Sequence, residues 1–164
     1  MAVDDIYNFL QLTETIGTAG QPTVEQFSDI QAAGYQVIIN LAIPTSPKAL
    51  PQEANLVAEL GLKYIAIPVE WEHPSLTDVQ QFFAAMQANW GQKLFVHCIA
   101  NMRVSAFMYL YRVICEGMKP EQAQPDLHRI WTPNFTWQQL IEQLIERYQS
   151  LHSANSPDST EFHC

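Results

Sequence analysis

Three short, strongly apolar runs constrain the fold of this chain more than any other feature of its sequence. They are Gln36–Leu41, Leu62–Ile67 and Lys93–His97, and each is rich in β-branched or aromatic residues. Glycines precede the second and third runs, as is typical of turns that lead into strands. We therefore predict three buried strands, with Ile16–Ala19 as a weaker candidate for a strand at the edge of the sheet.

Helical patterns occupy the segments between and after these runs. Ser75–Asn89 opens with the Ser-x-x-Asp spacing of a capping box, and Val104–Glu116 is apolar on almost every side, as expected of a buried central helix. The remaining predicted helices are Thr23–Ala33, Pro51–Leu60, Pro120–Ile130 and Phe135–Leu151. Because strands that alternate with helices form parallel sheets through right-handed crossovers, we predict an α/β fold. Its mainly parallel sheet should have about four to five strands, with helices on both faces.

The length and composition of the chain fit one domain. It has 164 residues, of which 48% are hydrophobic and 15% are charged, so it can bury one core. We expect a single domain over residues 1–152 and a flexible tail over residues 153–164, where the helical periodicity is lost. The excess of 17 acidic over 8 basic residues, a net charge of −9, argues against a nucleic-acid or membrane-surface binder. We expect a monomer or a weak homo-oligomer.

The cysteines and the N-terminus bear on the cellular location. Cys98, Cys115 and Cys164 are an odd and sparse set, which does not suggest a disulfide framework and favours a reducing compartment. We expect Cys115 to be a core thiol, with a redox partnership with Cys98 as an alternative. Residues 1–5 lack the pattern of a signal peptide, and no apolar run is long enough to cross a membrane. These features predict a cytoplasmic protein.

The strand predicted over Lys93–His97 runs directly into a segment that carries reactive side chains. Cys98 follows the strand and Arg103 precedes an apolar helix, which makes a strand, a short loop and a helix N-terminus. The first N–H groups of a helix lack partners within it and carry partial positive charge, and a tight loop turns further N–H groups toward one point. Arg103 adds a planar guanidinium that suits two oxygens of a phosphate. The pattern therefore predicts an anion-binding cup with a thiolate at its base.

Several residues of this segment are candidates for binding or support. His97 could orient the loop or help to ionise the thiol, and Ser105 could tune the loop or assist the departing thiolate. Structural roles stay open for these residues and for Cys98. A cysteine beside a buried strand is often a core residue, a histidine at a strand end can form an ordinary hydrogen bond, and Ser105 is an ordinary residue for a first helical turn. The candidate phosphate-binding residues are Ile99, Ala100, Asn101, Met102 and Arg103.

The His97-Cys98-x4-Arg103 pattern resembles the signature loop of the cysteine-dependent protein tyrosine and dual-specificity phosphatases. This resemblance implies a phosphatase fold and the hydrolysis of phosphate monoesters through a cysteinyl-phosphate intermediate. It also implies a phosphorylated protein or small molecule as substrate, with no cofactor or metal. The resemblance covers roughly Ile16–Gly117 and is strongest to a bacterial branch of candidate phosphatases. It is carried there by Ala19–Thr23, Gly34–Leu41, Gly61–Tyr64 and Ile67–Val69.

In the resembled phosphatases an acidic residue on a loop upstream of the cysteine protonates the leaving group. The corresponding segment here offers Glu70 and Glu72, where the family typically has an aspartate, and His73 as a weaker third candidate. We assign the nearest aspartate, Asp78, to the capping of a helix. Trp71 could flank an aromatic leaving group or seal the edge of the core. We expect Trp131, Phe135 and Trp137 to pack the last helices on the sheet.

The loop departs from the usual pattern of the family, and two other functions stay open. It is one residue shorter, contains no glycine, and is followed by Val104 in place of serine or threonine. A six-residue segment from cysteine to arginine is also similar to the rhodanese-like sulfurtransferases, which use a cysteine persulfide. A third possibility is a non-catalytic module that binds a phosphorylated ligand.

Overall fold

Five short strands form one sheet in the computed structural model, which describes residues 2–153, 159–162 and 164. In chain order they are β1 (Leu10–Thr13), β2 (Ile16–Ala19), β3 (Val37–Asn40), β4 (Lys63–Ala66) and β5 (Leu94–His97). The order across the sheet is β1-β2-β5-β3-β4. The β1–β2 pair is antiparallel and the other three pairs are parallel, so the predicted mainly parallel sheet is confirmed.

The sequence analysis missed β1 and was wrong about the place of Ile16–Ala19. β1 has four residues whose burial alternates between intermediate and exposed, so its apolar pattern is too short to stand out. It forms a hairpin with β2 and covers the side that β2 would otherwise present as an edge. The edges of the sheet are therefore β1 and β4, and β2 is an internal strand.

Six α-helices of the described residues surround the sheet. They are α1 (Gln26–Ala32), α2 (Glu53–Glu59), α3 (Leu76–Ala88), α4 (Met102–Ile114), α5 (Pro120–Ile130) and α6 (Phe135–Ser153). The first and last residues of each lie within about three residues of those of a predicted helix. Short 3-10 helices cover Val3–Asp5 and Ser159–Phe162. Within the described residues, none of these helices combines the length and the apolar character that a membrane crossing requires.

Two hydrophobic clusters lie on opposite faces of the sheet. Alternate residues of one strand point to opposite faces, so Ile39 joins the larger cluster while Ile38 joins the smaller one. The larger cluster packs against α3, α4, α5 and α6, and the smaller one packs against α1 and α2. The predicted central helix is confirmed, because 11 of the 13 residues of α4 are buried.

The structure tests two assignments made to helix ends and aromatic packing. Ser75 and Asp78 form the predicted capping box, in which each side chain accepts a hydrogen bond from the other residue's backbone N–H. Trp137 is fully buried as expected, but the expectation for Phe135 is wrong. Phe135 is the first residue of α6 and is 77% exposed, because it lies on the side of the helix that faces solvent.

The C-terminal segment differs from the flexible tail that the sequence suggested. Phe162 is buried and contacts the rings of Phe83 and Tyr148, and the Glu161 carbonyl accepts a hydrogen bond from Gln80 Nε2. Residues 154–158 and 163 of the predicted tail lie outside the described residues. Phe162 fixes the described part of this segment by contacts with residues that are distant in the sequence, and local periodicity does not reveal such contacts.

A disulfide joins Cys115 to Cys164, across a sequence separation of 49 residues. The expectations of a free core thiol at Cys115 and of its pairing with Cys98 were therefore wrong. Cys115 follows α4 and faces the C-terminal segment, whereas Cys98 precedes that helix and is free. The partner of Cys115 depends on how the C-terminus folds back, which spacing along the chain does not reveal.

Candidate active site

Cys98 lies directly after β5, at the carboxyl end of a central strand of the sheet. Parallel ladders place the ends of β2 and β3 on either side, with Ala19 and Asn40 both in register with His97. Cys98 is 1% exposed and belongs to the edge of the larger cluster, so its thiol lies at the base of this region. Arg103 stands in the first turn of α4 and is 7% exposed.

The loop between β5 and α4 directs its carbonyl groups toward the protein. The Ile99 carbonyl accepts a hydrogen bond from Gln21 N at 3.0 Å, and the Ala100 carbonyl accepts one from Asn8 Nδ2 at 3.0 Å. The Asn101 carbonyl accepts from Ser105 N at 2.9 Å. Because these carbonyls face the protein, the peptide N–H groups of the loop turn the other way, as in an anion-binding nest.

Four N–H groups of this segment are available to a ligand. Among the hydrogen bonds of the described residues, none uses the backbone N–H of Ile99, Ala100, Met102 or Arg103. The last two belong to the N-terminus of α4, where the helix dipole contributes partial positive charge. This backbone geometry is compatible with the predicted anion cup, which stays a prediction.

Gly20 allows the chain after β2 to approach this loop closely. A Cβ atom at position 20 would stand 2.5 Å from the carbonyl oxygen of Ile99, which is closer than real Cβ contacts allow. The Gly20 N–H donates to the Tyr7 carbonyl at 2.7 Å, and the next residue donates to Ile99. A glycine is therefore required where the two loops meet.

Asn101 takes the place of the glycine that the resembled loops usually contain. Its φ of 64° lies in the left-handed region, which asparagine tolerates better than most residues. The side chain is fully buried, and Nδ2 donates to the Asn8 carbonyl at 2.9 Å and to Thr18 Oγ1 at 3.1 Å. Asn8 and Asn101 thus hold each other's segments, because each amide donates to the backbone of the other loop.

The Arg103 guanidinium is buried without a carboxylate partner. No ion pair of the described residues involves it, and its buried Nε has no hydrogen-bond partner within the protein. Its Cζ lies 5.5 Å from the centroid of the Trp71 ring, which gives a cation–π contact. A buried cation without an anionic partner is costly, so this side chain is suited to an anion that comes from solution.

A cluster of three tryptophans borders the guanidinium. The Trp71 ring lies 5.3 Å from Trp131 and 5.5 Å from Trp137, and the Trp71 carbonyl accepts a hydrogen bond from Trp137 Nε1 at 2.8 Å. Trp131 Nε1 donates to Ser105 Oγ, which itself donates to the Met102 carbonyl. Ser105 therefore links the first turn of α4 to this cluster.

The two candidate acids flank Trp71 but are not brought into contact with the loop. Glu70 and Glu72 are both exposed, and neither forms a hydrogen bond or ion pair with Cys98 or Arg103 among the described interactions. Glu72 lines a groove against α6 together with His73. Trp71 alone brings this segment against the cup.

His97 belongs to a buried polar network on the other side of the loop. Its Nδ1 lies 3.1 Å from the Cys98 carbonyl oxygen, and its Nε2 lies 2.7 Å from Glu53 Oε2. Asn40 Nδ2 donates to the same carboxylate oxygen and to the Tyr64 hydroxyl, and Gln21 Nε2 donates to Glu53 Oε1 at 2.8 Å. His97 is fully buried and Glu53 is 2% exposed.

The network determines the charge of its carboxylate. Burial by itself raises the pKa of Glu53, but the hydrogen bonds from His97 and Gln21 and the charge of His97 outweigh it and lower that pKa below 4.5. Burial also raises the pKa of Tyr64 to about 12, with a further rise from the nearby Glu53 charge. Glu53 is thus ionised and Tyr64 is neutral at physiological pH.

Comparison with known proteins identifies the family to which this arrangement belongs. Residues 10–149 match the family PTP-NADK, described as a DSP-PTPase phosphatase fused to NAD+ kinase. The chain belongs to this family. A DUF442 protein from Shewanella putrefaciens CN-32, described as a candidate phosphatase, is 35% identical and superimposes with a TM-score of 0.80. That match covers 89% of this chain and 96% of the Shewanella chain.

A solved structure and a curated protein of lower sequence identity add to the comparison. The core catalytic domain of the PP-IP phosphatase SIW14 from Saccharomyces cerevisiae shares the fold, with a TM-score of 0.70 at 18% identity. It covers 92% of this chain and 93% of that domain. The beta-lactamase hydrolase-like protein of Xylella fastidiosa (strain Temecula1) is 29% identical over 119 residues, which are 70% of this chain. The chain spans 27% of the length of that curated relative.

These comparisons confirm the resemblance to the cysteine-dependent phosphatases and the α/β fold that it implied. They support a phosphatase in general terms.

The sequence analysis of this PTP-NADK member missed Glu53 and its amide partners. Glu53 follows Pro51 in a predicted first helical turn, where an acidic residue is ordinarily explained by the helix dipole. His97 was a signal in the sequence that could have indicated such a partner. A buried histidine at the end of a strand needs a hydrogen-bond partner for each of its two ring nitrogens.

Proposed function

We propose that this protein hydrolyses phosphate monoesters through a cysteinyl-phosphate intermediate on Cys98. The observation that carries the proposal is the buried Arg103 guanidinium without a carboxylate partner, beside N–H groups that no described residue uses. In a chain with 17 acidic residues, a protein carboxylate could readily have occupied that position. The arrangement instead suits an oxyanion bound next to a thiol.

In the first step, the Cys98 thiolate attacks phosphorus and an S–P bond forms while the P–O bond to the leaving group breaks. Arg103 and the N–H groups of residues 99–103 bind the three equatorial oxygens, where negative charge is concentrated. A glutamic acid of the segment beside Trp71, either Glu70 or Glu72, gives its proton to the departing oxygen.

In the second step, water attacks the phosphorus of the cysteinyl-phosphate. The same carboxylate, now ionised, accepts a proton from that water while the S–P bond breaks. The electron pair of this bond returns to sulfur, so inorganic phosphate and the Cys98 thiolate are formed. His97 holds the Cys98 carbonyl, and Ser105 holds the first turn of α4 in place for both steps.

We further propose that the substrate is a phosphorylated protein or small molecule and that the protein acts in the cytoplasm. The fold is shared with a phosphatase named for PP-IP substrates, which agrees with a small phosphorylated molecule. No group of metal-binding side chains was found among the described residues, and the proposed steps use none.

The decisive experiment measures the hydrolysis of an aryl phosphate in the presence and absence of a chelator. We expect turnover that resists the chelator, that falls at least about a thousandfold in Cys98→Ser, and that falls about a hundredfold or more in Arg103→Lys. Acid quenching during turnover should trap phosphate on the parent protein and none on Cys98→Ser. Full activity of Cys98→Ser would contradict the proposal.

The same preparation separates the other two functions. Transfer of sulfur from thiosulfate to cyanide, without hydrolysis of the aryl phosphate, would select a sulfurtransferase that uses a Cys98 persulfide. Phosphate that raises the melting temperature of the parent but not of Arg103→Lys, without turnover of either substrate, would select a binding module.

A further inference from the structure

The proposed reaction leaves one buried ionised group without a role. Glu53 stands at the start of α2, far along the chain from Cys98, yet its carboxylate is 2% exposed and meets His97 Nε2 at 2.7 Å. Two amides, from Gln21 and Asn40, also donate hydrogen bonds to it. Burying a carboxylate and an imidazole together is unfavourable compared with apolar packing, so the pair is not explained by stability of the fold.

The hydrogen bonds of His97 determine its protonation. The group 3.1 Å from Nδ1 is the Cys98 carbonyl oxygen, which can only accept, so Nδ1 carries a hydrogen. The group 2.7 Å from Nε2 is a carboxylate oxygen that already accepts from Asn40. With Glu53 ionised, Nε2 must donate as well. Both ring nitrogens of His97 therefore face acceptors, which is the arrangement that an imidazolium satisfies.

The order of charges in this network favours a thiolate. The imidazole contacts the Cys98 carbonyl oxygen and the carboxylate lies beyond it, so the cationic member of the pair is the one nearer to the Cys98 backbone. Among the residues that the structure describes, the other hydrogen-bonding and aromatic neighbours of the ring and of its carboxylate partner carry no charge. Phe27 and Phe95 face it with aromatic rings at 6.2 and 6.4 Å, β3 supplies the Asn40 amide, and β4 supplies the neutral Tyr64.

We infer that Glu53 is a positioning residue that acts on Cys98 through His97. It keeps the imidazole protonated, so that His97 holds the Cys98 carbonyl and carries a positive charge on the residue next to Cys98. The consequence for hydrolysis rests on the proposed function, but the effect on the thiol does not. Glu53 itself touches neither the substrate nor the reacting atoms.

The test compares Glu53→Gln with Glu59→Gln, an exposed glutamate on the same helix. Cys98 is the free cysteine of the described residues and Cys115 is bonded to Cys164, so thiolate absorbance in the ultraviolet reports on Cys98. Cys98→Ser supplies the blank. We expect Glu53→Gln to move the midpoint of the absorbance titration upward by about one pH unit or more, and Glu59→Gln to leave it unchanged.

Every result of this titration decides the inference. A midpoint that stays in place or moves to lower pH in folded Glu53→Gln would overturn it, since His97 would then be neutral already or charged without Glu53. If Glu53→Gln does not fold, nitrogen NMR of His97 in the parent protein decides the question. Two protonated ring nitrogens at pH 7 are expected, and one unprotonated nitrogen would overturn the inference.

The outcome is separable from that of the proposed function. A shifted midpoint in a protein that hydrolyses no phosphate ester would leave the role of Glu53 intact and remove the phosphatase proposal. If hydrolysis occurs, the acidic limb of its pH profile should move upward in Glu53→Gln by the same amount as the absorbance midpoint, while Glu59→Gln keeps the parent profile.

Discussion

At the scale of single residues, the site depends on side chains that fit unusual backbone positions. Asn101 supplies the left-handed conformation where the resembled loops have glycine, and its buried amide holds two other segments. The shorter loop is thus compatible with an anion cup, because the amide replaces contacts that a longer loop would make through its backbone. Arg103 adds a positive charge at the start of α4.

Two substitutions at Asn101 separate its backbone conformation from its hydrogen bonds. Asn101→Gly keeps the φ of 64° but removes the amide, and we expect it to lower the free energy of unfolding by about 1–2 kcal/mol. Asn101→Ala loses the same amide and also strains the left-handed backbone, which adds about 1 kcal/mol. Urea unfolding measures both. Equal losses in the two variants would show that the conformation at this position is not strained by a side chain.

The lowered pKa of Glu53 predicts a dependence of stability on pH. A carboxyl group whose folded pKa lies below its unfolded value of about 4.5 stabilises the fold above that pH, and this contribution disappears as the pH falls through the folded pKa. We expect the difference in unfolding free energy between the parent and Glu53→Gln to shrink as the pH falls below about 4.5. Urea unfolding from pH 7 to pH 3 measures it, with Glu59→Gln as control. A difference that grows on acidification would contradict the assignment.

At the scale of elements, α4 and the segment before α3 meet at the cup. α4 begins at the loop after β5, so its N-terminus and Arg103 lie at the same end of the helix and would act together in the proposed reaction. The segment before α3 reaches the cup through Trp71, which contacts Arg103 on one side and the other two tryptophans on the other. The position of the candidate acids therefore depends on a tryptophan cluster that also includes the buried Trp137 of α6.

Substitutions of the two glutamates in the segment before α3 identify the residue that acts as the acid. Either Glu70→Gln or Glu72→Gln should lower the hydrolysis of an alkyl phosphate by about a hundredfold, because an alkoxide needs a proton to depart. The same variant should lose much less with a nitrophenyl phosphate, whose leaving group is stable as an anion. The other glutamate serves as the matched control. Unchanged alkyl phosphate hydrolysis in both variants would exclude both residues as the acid.

At the scale of the whole molecule, two cores on opposite faces of the sheet support a candidate site at the carboxyl ends of its central strands. The C-terminal segment adds to the larger core through Phe162 and is joined to the end of α4 by the Cys115–Cys164 disulfide. Disulfides are rare in reducing compartments, so this bond counts against the cytoplasmic location that the cysteine content predicted. Cys115 lies at the opposite end of α4 from Arg103.

Removal of this disulfide should affect stability more than chemistry. A cross-link that spans 49 residues restricts the unfolded chain, so we expect Cys115→Ser to lower the free energy of unfolding by about 2–4 kcal/mol. Hydrolysis at low temperature should change little, because the cup lies at the other end of α4. Thermal melts with and without a reductant measure the effect, and Cys164→Ser should match Cys115→Ser. If the melting temperature of the parent protein is the same with and without the reductant, the bond does not form in solution.

The sequence by itself determined the alternation of strands and helices and the place of the cup. Apolar periodicity and capping residues are local, and the β5–loop–α4 segment is continuous, so Cys98, Arg103 and the loop amides could be brought together from spacing alone. β1 escaped this reasoning because four half-exposed residues contain too little pattern. The exposed Phe135 shows that an aromatic side chain does not report which side of a helix is covered.

Only the tertiary structure decided which distant residues complete the site. Glu53 reaches His97, Asn8 reaches Asn101 and Cys115 reaches Cys164 across separations of 44, 93 and 49 residues. Each of these contacts depends on how separate elements pack against one another. A polar residue that will be buried beside a partner has the same local pattern as one that faces solvent, and long-range packing alone distinguishes the two.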